Sequence, residues 1–289
     1  MLLWRRDSDA SNFKEAEVET QKESEEELLL PIERRAIPDH YRPYYATKRN
    51  NFFASIQISP DLWRYYQMLD NILLNEFRDL DVSHDPDRLI PLTLFFNAHA
   101  KIRISIELAF TRCMEEARSI LRDAIETAVY AHRMHAEPDL QKVWLCKNDS
   151  KEAANKFSEA FEKKKTERLF EGLTELYERW GQLCETGAHS TPQAVVSRFK
   201  IDESATHVQY RLNYTGVEDR EWEPETFTLL QTVSFIERLV FSDYESRLKL
   251  DHTLVQNRVL AQSFHEQLRQ SIIRKHDIKP PQPQPQPQP

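Results

Sequence analysis

Four glycines in 289 residues are too few for a fold built on tight hairpins and sharply bent strands, because positive-φ turns are where glycine is most needed. No stretch approaches the roughly 18 apolar residues of a membrane span. The opening Met1-Leu2-Leu3-Trp4-Arg5-Arg6 turns acidic before the apolar core of a secretory leader can form. Cysteine is scarce and odd in number: Cys113, Cys146 and Cys184 lie far apart and read as reduced thiols, not as a disulfide framework. A soluble, cytoplasmic protein is expected. Positive charge is not in excess either. The formal net charge is −8, which argues against non-specific nucleic-acid binding, since that depends on lysine and arginine releasing phosphate counterions. GxSxG, P-loop and GxGxxG motifs are all missing, which sets aside ordinary serine hydrolases and nucleotide folds.

What is present is a helix-forming composition, with 40% apolar and 30% charged residues, enough for one substantial core with tails. The expected fold class is mainly α, an antiparallel helical bundle with a small β-hairpin insertion. Residues 1–50 read as an acidic, mostly disordered N-terminal arm. Its end, "PIERRAIPDHYRPYY", looks like an extended segment able to lay tyrosines on the body. The bundle spans 51–278, and 279–289 is a polyproline-like Pro-Gln spacer or peptide ligand.

Within the body, Ser59-Pro60 is a helix start, and Leu62, Tyr65, Leu69, Ile72, Leu73, Phe77 and Leu80 recur at helical spacing over 60–80. The helical pattern from Leu89 to Ala136 would make one rod roughly 70 Å long, in a body expected to be only about 45 Å across. A break is therefore predicted at Thr111-Arg112, giving antiparallel helices 90–110 and 114–136. Further helices are expected at 152–166, 167–185, from Pro224 to about 246, and from Leu250 to about 276. Strand-period alternation at 207–214, able to pair with "AVVSRFKI", places a hairpin near 194–215.

Two of these helices carry polar residues where apolar ones belong. Stepping about 100° per residue from Leu121 puts Arg118 and His132 among the buried positions, with Arg122 at their edge. On the preceding helix His99 falls inside the buried face and Arg103 on its margin. An unpaired charge there costs several kcal/mol, so partners are required. Glu107 and Glu126, at i+4 from Arg103 and Arg122, are the nearest candidates. His99, Arg103, Arg118, Arg122 and Glu126 could line a cleft for an anion such as phosphate, or form a structural ion-pair network that sets helix register. His189, in the turn "GAHSTP" after Trp180-Gly181, could project into that cleft or simply bond its own loop. Cys184 with His189, or His132 with His135, have spacings that could suit zinc. Neither has a second half, so no metal and no cofactor are expected.

The segments "FFNAHAKIRISIELAF", "ARSILRDAIETAVYAHRM", "DLQKVWL" and "LYERWGQLCETGAHSTP" resemble, in order and spacing, a group of bacterial helical proteins without an agreed activity. In that group a helix of the sense R-x-x-L-E-x-A-x-Y precedes a G-[AT]-H-x-x-P turn. The resemblance covers about 60–200 and implies a fold but no catalytic residues. More distantly, the body resembles the HEPN superfamily, whose ribonucleases pair an arginine with a histidine a few residues on. Arg78-Asp79 to His84, Arg247 to His252, Arg258 to His265 and Arg269 to His276 have comparable spacing. Three functions follow as expectations: an anion- or partner-binding helical protein, a metal-independent ribonuclease acting in defence or stress, or an adaptor working through its termini. No partner class is singled out, and self-association stays open.

Overall fold

A computed structural model of the protein describes residues 36–278 except 79, 81–84, 163–168, 186–198, 205–206, 213–218 and 249–251; for 86 and 199–219 it describes the backbone alone. The described chain is a helical bundle. Its centre is the antiparallel pair α3 (Leu89–Phe110) and α4 (Met114–Ala136). The predicted break falls where expected, and the reason is visible: Arg112 adopts φ 65°, a left-handed conformation that ends a helix, while Cys113 N donates to Leu108 O at 2.8 Å and closes the turn. Small residues let the two helices approach closely. Ala98, Ala109, Ala117, Ala124 and Ala128 are fully buried, and Ser105 Oγ donates across the seam to Ala117 O at 2.7 Å.

Around this pair stand α1 (Arg42–Ile58), α2 (Pro60–Arg78), α7 (Thr174–Leu183), α8 (Asp219–Tyr244) and α9 (His252–His276), with the short helices α5 (Asp139–Leu145) and α6 (Lys151–Phe157) between α4 and α7. α8 packs on α2, α3 and α4, and α9 lies outside against α2 and α8. Fully buried Trp222 of α8 seats on the turn between α3 and α4. Its Nε1 donates to Ala109 O at 2.8 Å, satisfying a carbonyl that the end of α3 leaves open, while the Arg112 guanidinium lies 5.1 Å over its ring. The far end of α9 is tied to the start of α8. Glu223 accepts from Lys275 Nζ at 2.7 Å, from His276 Nε2 at 2.6 Å and from Ser59 Oγ at 2.7 Å.

Three boundaries differ from the sequence expectation. The tyrosine segment read as extended is a helical turn at Asp39–Tyr41 followed by α1, so the boundary at 50 falls inside a helix. Pro43 lies in the first turn of α1, where a missing N–H costs nothing, and Arg42 Nε donates to Ile37 O at 2.9 Å. α6 passes into a π-helical turn at Ser158–Glu162, and among the described residues the following helix, α7, begins at Thr174, just after Gly172 takes φ 75°. α8 begins before Pro224, which lies inside it. Between α7 and α8 the backbone of β1 (Phe199–Ser204) pairs antiparallel with β2 (His207–Leu212), Phe199 opposite Leu212. No described helix is long and apolar enough to cross a membrane.

Trp222→Phe keeps the ring but deletes the donor to Ala109 O. It is expected to cost about 1–3 kcal/mol, read as a lower urea midpoint at an unchanged m-value.

Candidate ligand groove

Three helix faces meet on one groove. α1 contributes Tyr45, Lys48, Arg49, Phe52 and Phe53, spaced so that all fall on one side of a 3.6-residue helix, and the turn before it adds Tyr41. α2 contributes Trp63, Tyr66, Gln67, Asp70, Asn71 and Leu74 by the same spacing, α3 adds Arg103 and Glu107, and Thr111 follows at its end; together they line about 840 Å³. The rings brace one another edge to face, Phe52 with Trp63 at 5.4 Å and 80° and Trp63 with Phe110 at 5.1 Å and 73°, an arrangement aromatic quadrupoles favour. Phe53 is 58% exposed, with Tyr41 and Tyr45 also open to solvent.

The groove's polar side is built on Asp70. Arg103 of α3 takes it bidentately, Nε to Oδ1 and Nη2 to Oδ2, each at 2.8 Å, and His99 Nε2 lies 2.7 Å from Oδ1. Burial alone would raise the Asp70 pKa, but the hydrogen bonds from His99 and Arg103 outweigh it and hold the carboxyl at about 2. Burial, reinforced by the Asp70 charge, pushes the Tyr66 phenol well above its ordinary range, so Tyr66 is a neutral hydroxyl at physiological pH.

His99 and Arg103 thus come together, on a carboxylate that sequence reasoning does not single out. The i+4 rule points to Glu107; the partner of Arg103 is on α2, 33 positions away. Arg118 and Arg122 do not join them. Arg118 lies 3.1 Å from Glu115 and 2.6 Å from Glu225 of α8. Burial pushes the Glu225 carboxyl upward, and the Arg118 charge opposes it. Arg122 lies 3.7 Å from Glu126, the i+4 partner expected. His189 lies outside the described residues. The single cleft read from the sequence therefore separates, among the described residues, into a groove pair and two separately ion-paired arginines on α4.

The Arg/His spacings resolve in a similar way. Asp79 and His84 lie outside the described residues. Arg247 Nη2 donates to Asp85 at 2.7 Å, Arg258 to Glu76 and Glu237, and Arg269 to Glu266 at 3.4 Å. His132 and His135 both approach Asp243, at 2.8 and 4.0 Å. Among the described residues no group of three or more His, Cys, Asp and Glu side chains could hold a metal ion. No family model, curated protein or solved structure matches the chain.

A depressed carboxyl stabilises the fold above its unfolded pKa, near 3.8, and that contribution disappears as pH falls through its folded value of about 2. Asp70→Asn is expected to lower stability by about 2 kcal/mol at pH 7. In urea titrations its deficit relative to the parent should close as pH drops from 4 toward 2.

Proposed function

We propose that the protein works by recognition, and that the groove between α1, α2 and α3 binds an aromatic ligand carrying an anionic group. The observation carrying this reading is that six aromatic side chains and the cations Lys48, Arg49 and Arg103 line one open cleft. Aromatic walls with a few placed polar groups are the usual composition of a ligand site, and cations near ring faces favour a planar anion. The strand pair is read as an appendage inserted between α7 and α8. All three cysteines are free thiols, which supports a reducing compartment such as the cytoplasm.

A second reading rests on α9, where Arg258 and His265 stand two turns apart and line one cavity. That pairing is what a HEPN-like, metal-independent ribonuclease would use.

The two readings part in one set of measurements. Calorimetric titration with 2-naphthoate should give binding that 2-naphthamide lacks. Phe53→Ala, which removes an exposed ring, should weaken it about tenfold, a loss of ~1.4 kcal/mol. Cleavage of single-stranded RNA in EDTA that is lost in His265→Ala and kept in Phe53→Ala, with no naphthoate binding, would overturn the groove in favour of the ribonuclease.

A further inference from the structure

A second cavity, of about 370 Å³, lies between α2, α8 and α9 and shares no lining residue with the groove. Its walls include apolar Leu69, Ile72, Val255 and Val259. Its chemistry centres on Arg258, whose side chain remains 22% exposed. The guanidinium lies 3.5 Å over the Phe241 ring, which fixes its plane and leaves its N–H edges for in-plane partners. Both carboxylates that hold it use the same nitrogen: Nη1 donates to Glu76 Oε1 at 2.8 Å and to Glu237 Oε1. Among the described residues nothing takes Nε or Nη2. That edge is one of the two forks by which arginine binds a carboxylate bidentately.

The charges around this fork are unequal. Glu76 is fully buried and Glu237 nearly so. Burial, and then the charge of Glu237, pushes the Glu76 carboxyl far upward, with Arg258 opposing. Glu76 Oε2 has no hydrogen-bond partner among the described residues, as suits a neutral acid better than an ion. Burial raises the Glu237 carboxyl as well, with Arg258 opposing most strongly; Arg238 lies 3.3 Å from Glu175, so Arg258 is the cation that Glu76 and Glu237 share. His265, whose pKa burial lowers despite the nearby Glu266 charge, adds no cation at neutral pH. Its Nδ1 lies 3.0 Å from Tyr65 Oη, and burial raises that phenol to about 12, so Tyr65 is neutral as well. An entering anion would meet Arg258 beside Glu237, so the smaller its charge the better it fits. A dianionic phosphate would place its second charge against Glu237, whereas a monocarboxylate would not, and the apolar walls offer its tail a surface to bury.

We propose that this cavity is a binding site for a small organic monocarboxylate, held bidentately by the Nε/Nη2 edge of Arg258 with its apolar portion against Leu69, Ile72, Val255 and Val259. The Glu76–Glu237 pair positions the guanidinium and does not contact the ligand. This site is independent of the aromatic groove.

Sodium hexanoate titrated into the full chain at pH 7 is the direct test. Hexanoate should bind one to one, and hexanamide and hexylamine should not. Arg258→Lys should weaken binding at least tenfold, since an ammonium cannot form the fork. Glu76→Gln, which keeps a neutral side chain, should retain it. Val255→Trp fills the rim without touching the ionised groups, and should abolish binding at an unchanged melting temperature; it carries the test if Arg258→Lys does not fold. Phe53→Ala should bind hexanoate normally, which separates failure here from failure at the groove. The proposal is overturned if the parent protein gives no heat with hexanoate, if binding survives Val255→Trp, or if hexylamine binds instead.

Discussion

The close approach of α3 to α4 is the constraint from which the rest of the molecule follows. Alanines at successive turns remove the bulk that would hold the helices apart, and the left-handed residue at Arg112 reverses the chain within three positions. A reversal that short leaves carbonyls at the end of α3 without helical partners. Trp222 takes one of them and so fixes where α8 begins its path across both helices. Once α8 is seated, α2 and α9 have a common surface to pack on, and α1 closes over α2 and α3. Loss of the seam would therefore remove the platform for the groove and for the cavity together.

The arrangement of charge follows from that packing. An acidic chain has carboxylates to spare, and the arginines at the margins of the core each find one: Asp70 for Arg103, Glu225 and Glu115 for Arg118, Glu126 for Arg122. Pairing removes the cost of an isolated buried charge without by itself adding much stability. What sets two places apart is what pairing leaves over. In the groove, exposed rings stand beside the Arg103–Asp70 pair; in the cavity, two carboxylates converge on one nitrogen of Arg258 and leave its Nε/Nη2 edge without a described hydrogen-bond partner.

Much of the architecture is legible in the order of the residues. The start at Pro60 and the pairing of Arg122 with Glu126 rest on spacing within one helix, and the break at Thr111-Arg112 on the length of the helical stretch against the size of the body, all of which sequence displays directly. α1 is hidden because prolines and tyrosines between charged residues look extended unless Pro43 is seen to fall in a first turn, where it is harmless. The late start of α7 is hidden for a related reason: Gly172 adopts a positive φ that composition permits but does not require. Of the candidate site, His99 and Arg103 are identifiable as polar intrusions on a buried face. The rings of α1 and α2 recur at helical spacing too, yet the same periodicity describes any amphipathic face.

The sequence by itself determined the helical periodicity, that the longest helical stretch had to break, and which polar residues would need partners, because helix length and face assignment follow from residue spacing along the chain. Tertiary structure decided which partners those residues found. Arg103 passed over a glutamate one turn away for an aspartate on another helix, and Arg258 met two glutamates from α2 and α8. Those choices depend on how helices cross and how far apart they lie, and the small residues of one seam set that geometry for the whole bundle.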